Sequence, residues 1–141
     1  MAGNALGLLP PKAYDLLADQ PVSSKGLSES AKFNIVVSAV ADMDGSNHVL
    51  SRFGDSIWDF RPYFEQSNVA DGQKYIPWPG DCSQELVADC KAVLYAWFKR
   101  GLPGSKPPVA MGICQAAIAS AIPMMRWLTA LNIKRFDQVK P

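Results

Sequence analysis

The residues with the clearest capacity for chemistry in this chain are basic side chains near the ends of two predicted helices. They are Lys99, Arg100, Lys106, Arg126, Lys134 and Arg135. Lysine and arginine neutralise phosphate groups, and such contacts hold a protein on a nucleic acid without reading its bases. We therefore predict that these six residues bind the phosphate backbone of double-stranded DNA. The alternative for each residue is an ordinary solvated surface charge.

Charge is unevenly distributed along the chain. Residues 1–81 contain six Lys and Arg against ten Asp and Glu, a net charge of −4, whereas residues 82–141 contain eight against three, a net charge of +5. The whole chain carries only +1. A basic end of this kind is typical of a surface that faces a nucleic acid, although ordinary surface variation produces the same pattern.

The cysteines favour a reducing location. Cys82, Cys90 and Cys114 are an odd number and contain no C-x-x-C pair, so we expect buried or half-buried thiols in a cytoplasmic protein, with no disulfide framework and no zinc site. The N-terminus lacks the pattern of a secretory signal. Residues 109–125 carry no charge, but the segment is short and polar for a membrane span, so we expect no membrane contact.

Enzymatic and metal chemistry have little support. Asp42 and Asp44 resemble the start of a calcium loop, but the later ligands are missing at the required spacing. The sequence contains no Gly-rich phosphate loop, no nucleophile elbow and no ligand cluster with metal spacing. We therefore predict no catalytic residue, no cofactor and no metal site, and we give little weight to a small hydrolase.

The N-terminal half predicts a β-hairpin followed by an aromatic cluster. Residues 33–40 and 48–53 are rich in strand-forming residues, and Asp44-Gly45 lies between them as a turn. Four aromatic residues follow closely, namely Trp58, Phe60, Tyr63 and Phe64. We interpret them as core residues, the alternative being a surface that stacks on exposed bases.

Two long helices are predicted in the C-terminal half. The first spans 81–101, with Asp81 and Gln84 as a capping box and Gly101 as the C-cap. The second begins at Pro107-Pro108, and Pro123 predicts a kink or split near residues 119–122. The predicted core comprises Ile35, Val37, Trp58, Leu86, Val93, Leu94, Trp97, Ile118, Ile122, Leu128 and Leu131.

These elements predict an α+β fold that is mainly helical, with a small β-hairpin region followed by two long packed α-helices. Residues 1–30 are expected to form an arm and a linker, because a Pro-, Gly- and Ser-rich stretch ends this segment. Residues 31–80 form the small β-containing region, and residues 81–141 form the helical region.

The C-terminal segment has a distinctive arrangement. Its helix carries a late Trp127-Leu128 pair, and a short turn leads to a tail ending in Val139-Lys140-Pro141. This resembles the start of the core-binding domain of tyrosine recombinases, the phage-integrase family, with Lys140 where threonine is commoner. Residues 48–64, HVLSRFGDSIWDFRPYF, are similar to the N-terminal region of large integrases. The resemblance covers about residues 48–141.

The resemblance implies the DNA-binding and assembly part of a site-specific recombinase. Such a part clasps double-stranded DNA on the side opposite the catalytic domain and self-associates within a recombination complex. The family's catalytic residues have no counterpart, because His48 is the only histidine and none of the tyrosines, at 14, 63, 75 and 95, has the nucleophile's context. We therefore expect a non-catalytic N-terminal piece or a truncated relative. The alternative is a non-enzymatic protein–protein interaction module with no nucleic-acid role, which docks a partner on the second helix.

Overall fold

The computed structural model describes residues 14–64 and 69–139, which form an α+β fold of short strands and longer helices. Among these residues, helical positions outnumber strand positions, and no helix is long and apolar enough to cross a membrane. The regular elements are α1 (Tyr14–Ala18), α2 (Glu29–Asn34), β1 (Val36–Ala41), β2 (Asn47–Arg52), β3 (Ile57–Asp59), β4 (Tyr75–Pro77), α3 (Gln84–Arg100), α4 (Ala110–Ala116) and α5 (Ile122–Ala130).

The predicted β-hairpin is confirmed. Strands β1 and β2 are antiparallel, with Ala41 opposite Asn47 next to the turn. Gly45 lies in that turn with a φ of +89°, a conformation that glycine adopts without steric penalty. A second antiparallel pair, β3 and β4, places Trp58 opposite Ile76. The aromatic segment is thereby tied to the extended segment that precedes α3.

The start of β1 differs from the prediction. Phe33 belongs to α2 and is 54% exposed, and the strand begins only at Val36. The cause is local, since the Ser28 hydroxyl accepts the Ala31 N–H at 3.1 Å and caps the first turn of α2. This capped helix continues to Asn34, so the strand can begin only after that residue.

Part of the predicted arm and linker packs on the rest of the chain. Leu16 and Leu17 lie against Val36 and Ala39 of β1, and the hydroxyl of Tyr95 on α3 donates a hydrogen bond to the Pro21 carbonyl. The chain from Tyr14 onwards therefore contributes to the same folded body as the helices. Residues 1–13 of the predicted arm lie outside the described residues.

Helix α3 ends as predicted and begins differently. Gly101 is the C-cap, with a φ of +75°. The predicted capping box at Asp81 is wrong, because the N-cap is Ser83. The Ser83 hydroxyl does not cap its own helix but donates to the Lys134 carbonyl at 2.7 Å. A contact between distant segments has replaced the local hydrogen bond that the sequence suggested.

The second helical region is interrupted near the predicted place. A π-helical segment, Ala117–Ala121, separates α4 from α5, and Pro123 lies in the first turn of α5. Because proline has no N–H for the usual i to i−4 hydrogen bond, a local π turn is one way to accommodate it. The helix starts at Ala110 rather than at Pro107-Pro108. Within residues 14–64 and 69–139, only α3 is therefore a long uninterrupted α-helix.

The predicted aromatic core is confirmed, since Trp58, Phe60, Tyr63 and Phe64 are all buried. Of the other predicted core residues, Trp97 and Ile118 are partly buried, and six are buried, namely Ile35, Val37, Leu86, Leu94, Ile122 and Leu128.

Two residues were wrongly assigned to the core. Val93 is 68% exposed and Leu131 is 53% exposed. The buried face of α3 runs through Val87, Lys91 and Tyr95, which turns Val93 outwards. Leu131 follows the last turn of α5, where the chain reverses direction at Asn132 with a φ of +61°.

The three thiols are expected to be chemically inert in the folded protein. Cys82, Cys90 and Cys114 are free and buried, and burial raises the pKa of Cys90 to about 11 and of Cys114 to about 12. Because the thiolate is the reactive form, a thiol reagent at about pH 8 should label none of them within minutes and all of them in denaturant. Rapid labelling of native Cys114 would contradict this burial.

Candidate nucleic-acid interface

Arg100 and Lys106 flank the connector between α3 and α4. Both side chains are exposed, and neither has a hydrogen bond or ion pair in the described part of the chain. Gly101 brings them near each other, because its backbone packs closely on that of Lys106. A Cβ at position 101 would lie 2.9 Å from the Lys106 carbonyl carbon and oxygen. This turn therefore presents two free cationic side chains at the C-terminal end of α3.

Lys99 is positioned differently from its neighbour Arg100. Its ammonium donates to the Leu17 carbonyl at 2.9 Å and lies 6.0 Å from the centre of the Tyr95 ring. Burial lowers the pKa of Lys99 below its usual value. The side chain thus fastens α1 to α3, and its charge faces the protein.

Lys134 and Arg135 lie at the other end of α3. The Lys134 side chain is exposed and free of partners among the described residues, whereas the Arg135 guanidinium lies 3.2 Å from an Asp137 carboxylate oxygen and 3.9 Å from one of Glu85. The Arg135 guanidinium therefore forms ion pairs with two carboxylates. Lys134 is the freer of the two cations.

Arg126 occupies a third position. Its exposed side chain borders a shallow cavity of about 370 Å³ between α5 and the segment before α3, together with Gly72, Pro77 and Ile118. It makes no hydrogen bond or ion pair with any residue that the structure describes.

The structure does not bring the six predicted residues together as one patch: four of them form two pairs, Lys99 faces the protein, and Arg126 lies apart from both pairs. Helix α3 contains 17 residues, so at 1.5 Å per residue its two ends are about 25 Å apart. Arg100 and Lys106 lie at one end, and Lys134 and Arg135 lie at the other. The predicted interface is thus divided between two small cationic sites.

One charged residue outside the predicted interface is buried in the core of the described chain. Lys91 is only 8% exposed, and its ammonium donates to the Asp55 carbonyl at 2.8 Å. The rings of Phe53, Trp58 and Trp78 surround it at about 6 Å from their centres.

Two opposing effects act on the pKa of this ammonium. Cation–π attraction favours the charged form, but 6 Å is the outer limit of its range. Burial dominates and lowers the pKa of Lys91 to about 8. The i, i+4, i+8 spacing of Val87, Lys91 and Tyr95 was the signal in the sequence that could have placed Lys91 on the buried face.

The two aspartates of the hairpin turn, Asp42 and Asp44, are bound to side chains of the same hairpin. Asp44 accepts hydrogen bonds from the Ser46 hydroxyl at 2.7 Å and from the Ser46 N–H at 2.9 Å, and these bonds lower the pKa of Asp44. Asp42 is bound to the ring of His48. Among residues 14–64 and 69–139, no group of three or more His, Cys, Asp or Glu side chains is arranged to hold a metal ion.

In comparisons with known proteins, no protein-family model, no curated protein and no solved structure matches this chain.

Proposed function

We propose that this chain is a non-enzymatic DNA-binding and assembly part of a larger complex, which engages the phosphate backbone of duplex DNA. One observation carries the proposal. Four of the six predicted contact residues present exposed cationic side chains without a partner in the described regions, namely Arg100, Lys106, Arg126 and Lys134. Free cations of this kind release counterions when they meet phosphate, which is the main source of sequence-independent affinity.

The spacing of the two cationic sites suits a duplex. Phosphates follow one another at about 3.4 Å of helix rise along each strand, so two sites about 25 Å apart span about seven base pairs. A helix of this length can therefore reach two separate phosphate groups from its two ends. Lys99 contributes to this arrangement only indirectly, because it holds α1 against α3.

The resemblance of residues 48–141 to the N-terminal part of tyrosine recombinases supplies the finer form of the proposal. In that form the chain clasps DNA in a site-specific recombination complex, and the catalytic residues lie elsewhere. The two predicted helices then act as one packed unit that carries both cationic sites. The buried free cysteines support a cytoplasmic location for such a complex.

Removing the two cations at the C-terminal end of α3 tests the proposal. Each lost phosphate contact should reduce the slope of log affinity against log salt by about 0.9, so Arg100→Ala with Lys106→Ala should reduce it by about 1.8. The measurement is a fluorescence-anisotropy titration of a labelled random-sequence duplex at several salt concentrations.

A matched control is Lys25→Ala, which removes an exposed lysine from the acidic half of the chain. This variant should leave the salt dependence unchanged. Absence of binding by the unmodified chain at low salt, or an unaltered slope in the double variant, would refute the DNA proposal.

A second candidate function is a protein–protein interaction module without a nucleic-acid role. A separate observation favours it, because several large apolar side chains of α3 and α5 are exposed, Trp127 and Val93 most strongly at 63% and 68%. An exposed apolar patch on a folded domain commonly marks an interaction site.

A further inference from the structure

The outer face of α5 is apolar although it faces solvent. We define the outer face as Met124, Trp127 and Leu131 with Val93 of α3, which are 39%, 63%, 53% and 68% exposed. Met124 and Trp127 lie three residues apart on one side of α5, and Leu131, the C-cap residue, follows four residues later.

Helix α5 is therefore apolar on two sides. Its inner side buries Ile122, Met125 and Leu128, and Arg126 is its one charged residue. A helix that is hydrophobic all round is normally covered on every side. The outer face thus has the composition of an interface.

A groove lies beside this face. It has a volume of about 300 Å³ and is lined by Val93 and Leu94 of α3, by Ala121 and Met124, and by Phe136 of the tail. A cavity of this size and character accommodates a large apolar side chain. At its rim is the exposed carboxylate of Asp89.

The charges bordering the face indicate what covers it. Asp89 lines the groove. Arg126 precedes Trp127 in α5, about 100° around the helix, and lies at the opposite edge of the outer face, where it lines the cavity with Gly72 and Pro77. Neither has an ion pair within residues 14–64 and 69–139. One copy of the chain therefore carries a groove with an unpaired anion and a projecting tryptophan with an unpaired cation. In a two-fold dimer each contact occurs twice, so both charges and both apolar features find their complement in a second copy.

We infer that the outer face forms a two-fold homodimer interface. In this dimer Trp127 of each copy enters the groove of the other, and Arg126 of each copy pairs with Asp89 of the other. The inference deepens the interaction-module candidate by naming its partner, and it does not depend on DNA binding. In the dimer Arg126 is paired, so the phosphate contacts of the DNA proposal would be left to Arg100, Lys106 and Lys134.

Analytical ultracentrifugation without DNA tests the inference. Between about 1 and about 100 µM the chain should shift from monomer to dimer, because association follows mass action. Trp127→Ala should weaken the dimer by at least about tenfold, as expected for loss of a tryptophan anchor. Leu102→Ala is the matched control, since Leu102 is 58% exposed outside this face and its loss should leave the dimer unchanged.

A charge exchange provides a second readout that does not require removal of an apolar group. Asp89→Arg and Arg126→Asp should each weaken the dimer by placing like charges opposite each other, and the two changes in one chain should restore it. A monomer at every concentration, an unaffected Trp127→Ala variant, or failure of the double exchange to restore association would overturn the inference. DNA titration of Trp127→Ala separates the two proposals, because its phosphate-binding residues remain intact.

Discussion

Trp58→Ala is expected to lower the free energy of unfolding by about 3–5 kcal/mol, the usual range for removal of a large buried aromatic side chain. Trp58 is 1% exposed and lies at the centre of the core. Its ring centre is 5.1 Å from that of Trp78 and 5.8 Å from that of Phe53. The indole N–H also donates to the Phe53 carbonyl at 3.3 Å.

The size of this loss follows from two effects that add. The substitution opens a cavity that the neighbouring rings cannot fill, and it leaves the Phe53 carbonyl without its donor. A loss of this size is a large fraction of the about 5–15 kcal/mol that stabilises a typical domain. Urea denaturation followed by circular dichroism measures it.

Trp127→Ala is the matched control for Trp58→Ala, because Trp127 is 63% exposed. At a protein concentration low enough to prevent association, this change should alter the free energy of unfolding by no more than about 0.5 kcal/mol. Equal losses in the two variants would contradict the placement of Trp58 in the core and Trp127 at the surface.

The second large effect is a rise in stability with pH that originates at Lys91. The pKa of Lys91 is about 8 in the folded chain and 10.5 as an ordinary lysine. Below pH 8 both states carry the proton, and the folded state bears an unfavourable buried charge. Between pH 8 and 10.5 the unfolded state binds more protons, so the free energy of unfolding increases by up to about 1.4 kcal/mol per pH unit.

Other groups oppose this rise at high pH. Burial raises the pKa values of the Cys90 and Cys114 thiols and of the Tyr95 hydroxyl, so the unfolded state loses these protons first and stability falls. The contribution of Lys91 is therefore obtained by comparison with Lys91→Met, which retains a long side chain without a charge.

At neutral pH we expect Lys91→Met to be at least as stable as the unmodified chain, because replacing a buried charge by an apolar side chain of similar shape removes its desolvation cost. This advantage should disappear towards about pH 10, where Lys91 is neutral in the folded state. Lys25→Met, at an exposed position, serves as control and should follow the unmodified chain. Parallel stability curves for Lys91→Met and the unmodified chain would contradict a buried, depressed Lys91.

Local patterns in the sequence were sufficient to predict several elements of the fold. The β-branched run with its Gly45 turn predicted the hairpin, and Gly101 marked the end of α3. Pro123 indicated the interruption of the second helix near its observed position. In each case the deciding interaction lies within a few residues of the chain, so it can be inferred without the tertiary structure.

The candidate site was predicted less completely. The sequence identified the surplus of basic residues in the C-terminal part, but not which of their charges remain free. The Lys99 ammonium donates a hydrogen bond to the carbonyl of Leu17, which is 82 residues away along the chain. Arg135 forms ion pairs with Glu85 and Asp137. Residue type alone does not distinguish these cations from the unpaired Arg100.

The sequence by itself determined the β-hairpin, the first long helix, the aromatic core and the charge difference between the two halves, because these depend on composition and short-range spacing. Only the tertiary structure decided which side of α3 is buried. The apolar residues of that helix are compatible with burial of either of two neighbouring faces. Packing against the aromatic cluster selected the face that contains Lys91 and Tyr95. That choice turned Val93 to the surface beside Met124, and it thereby created the apolar groove.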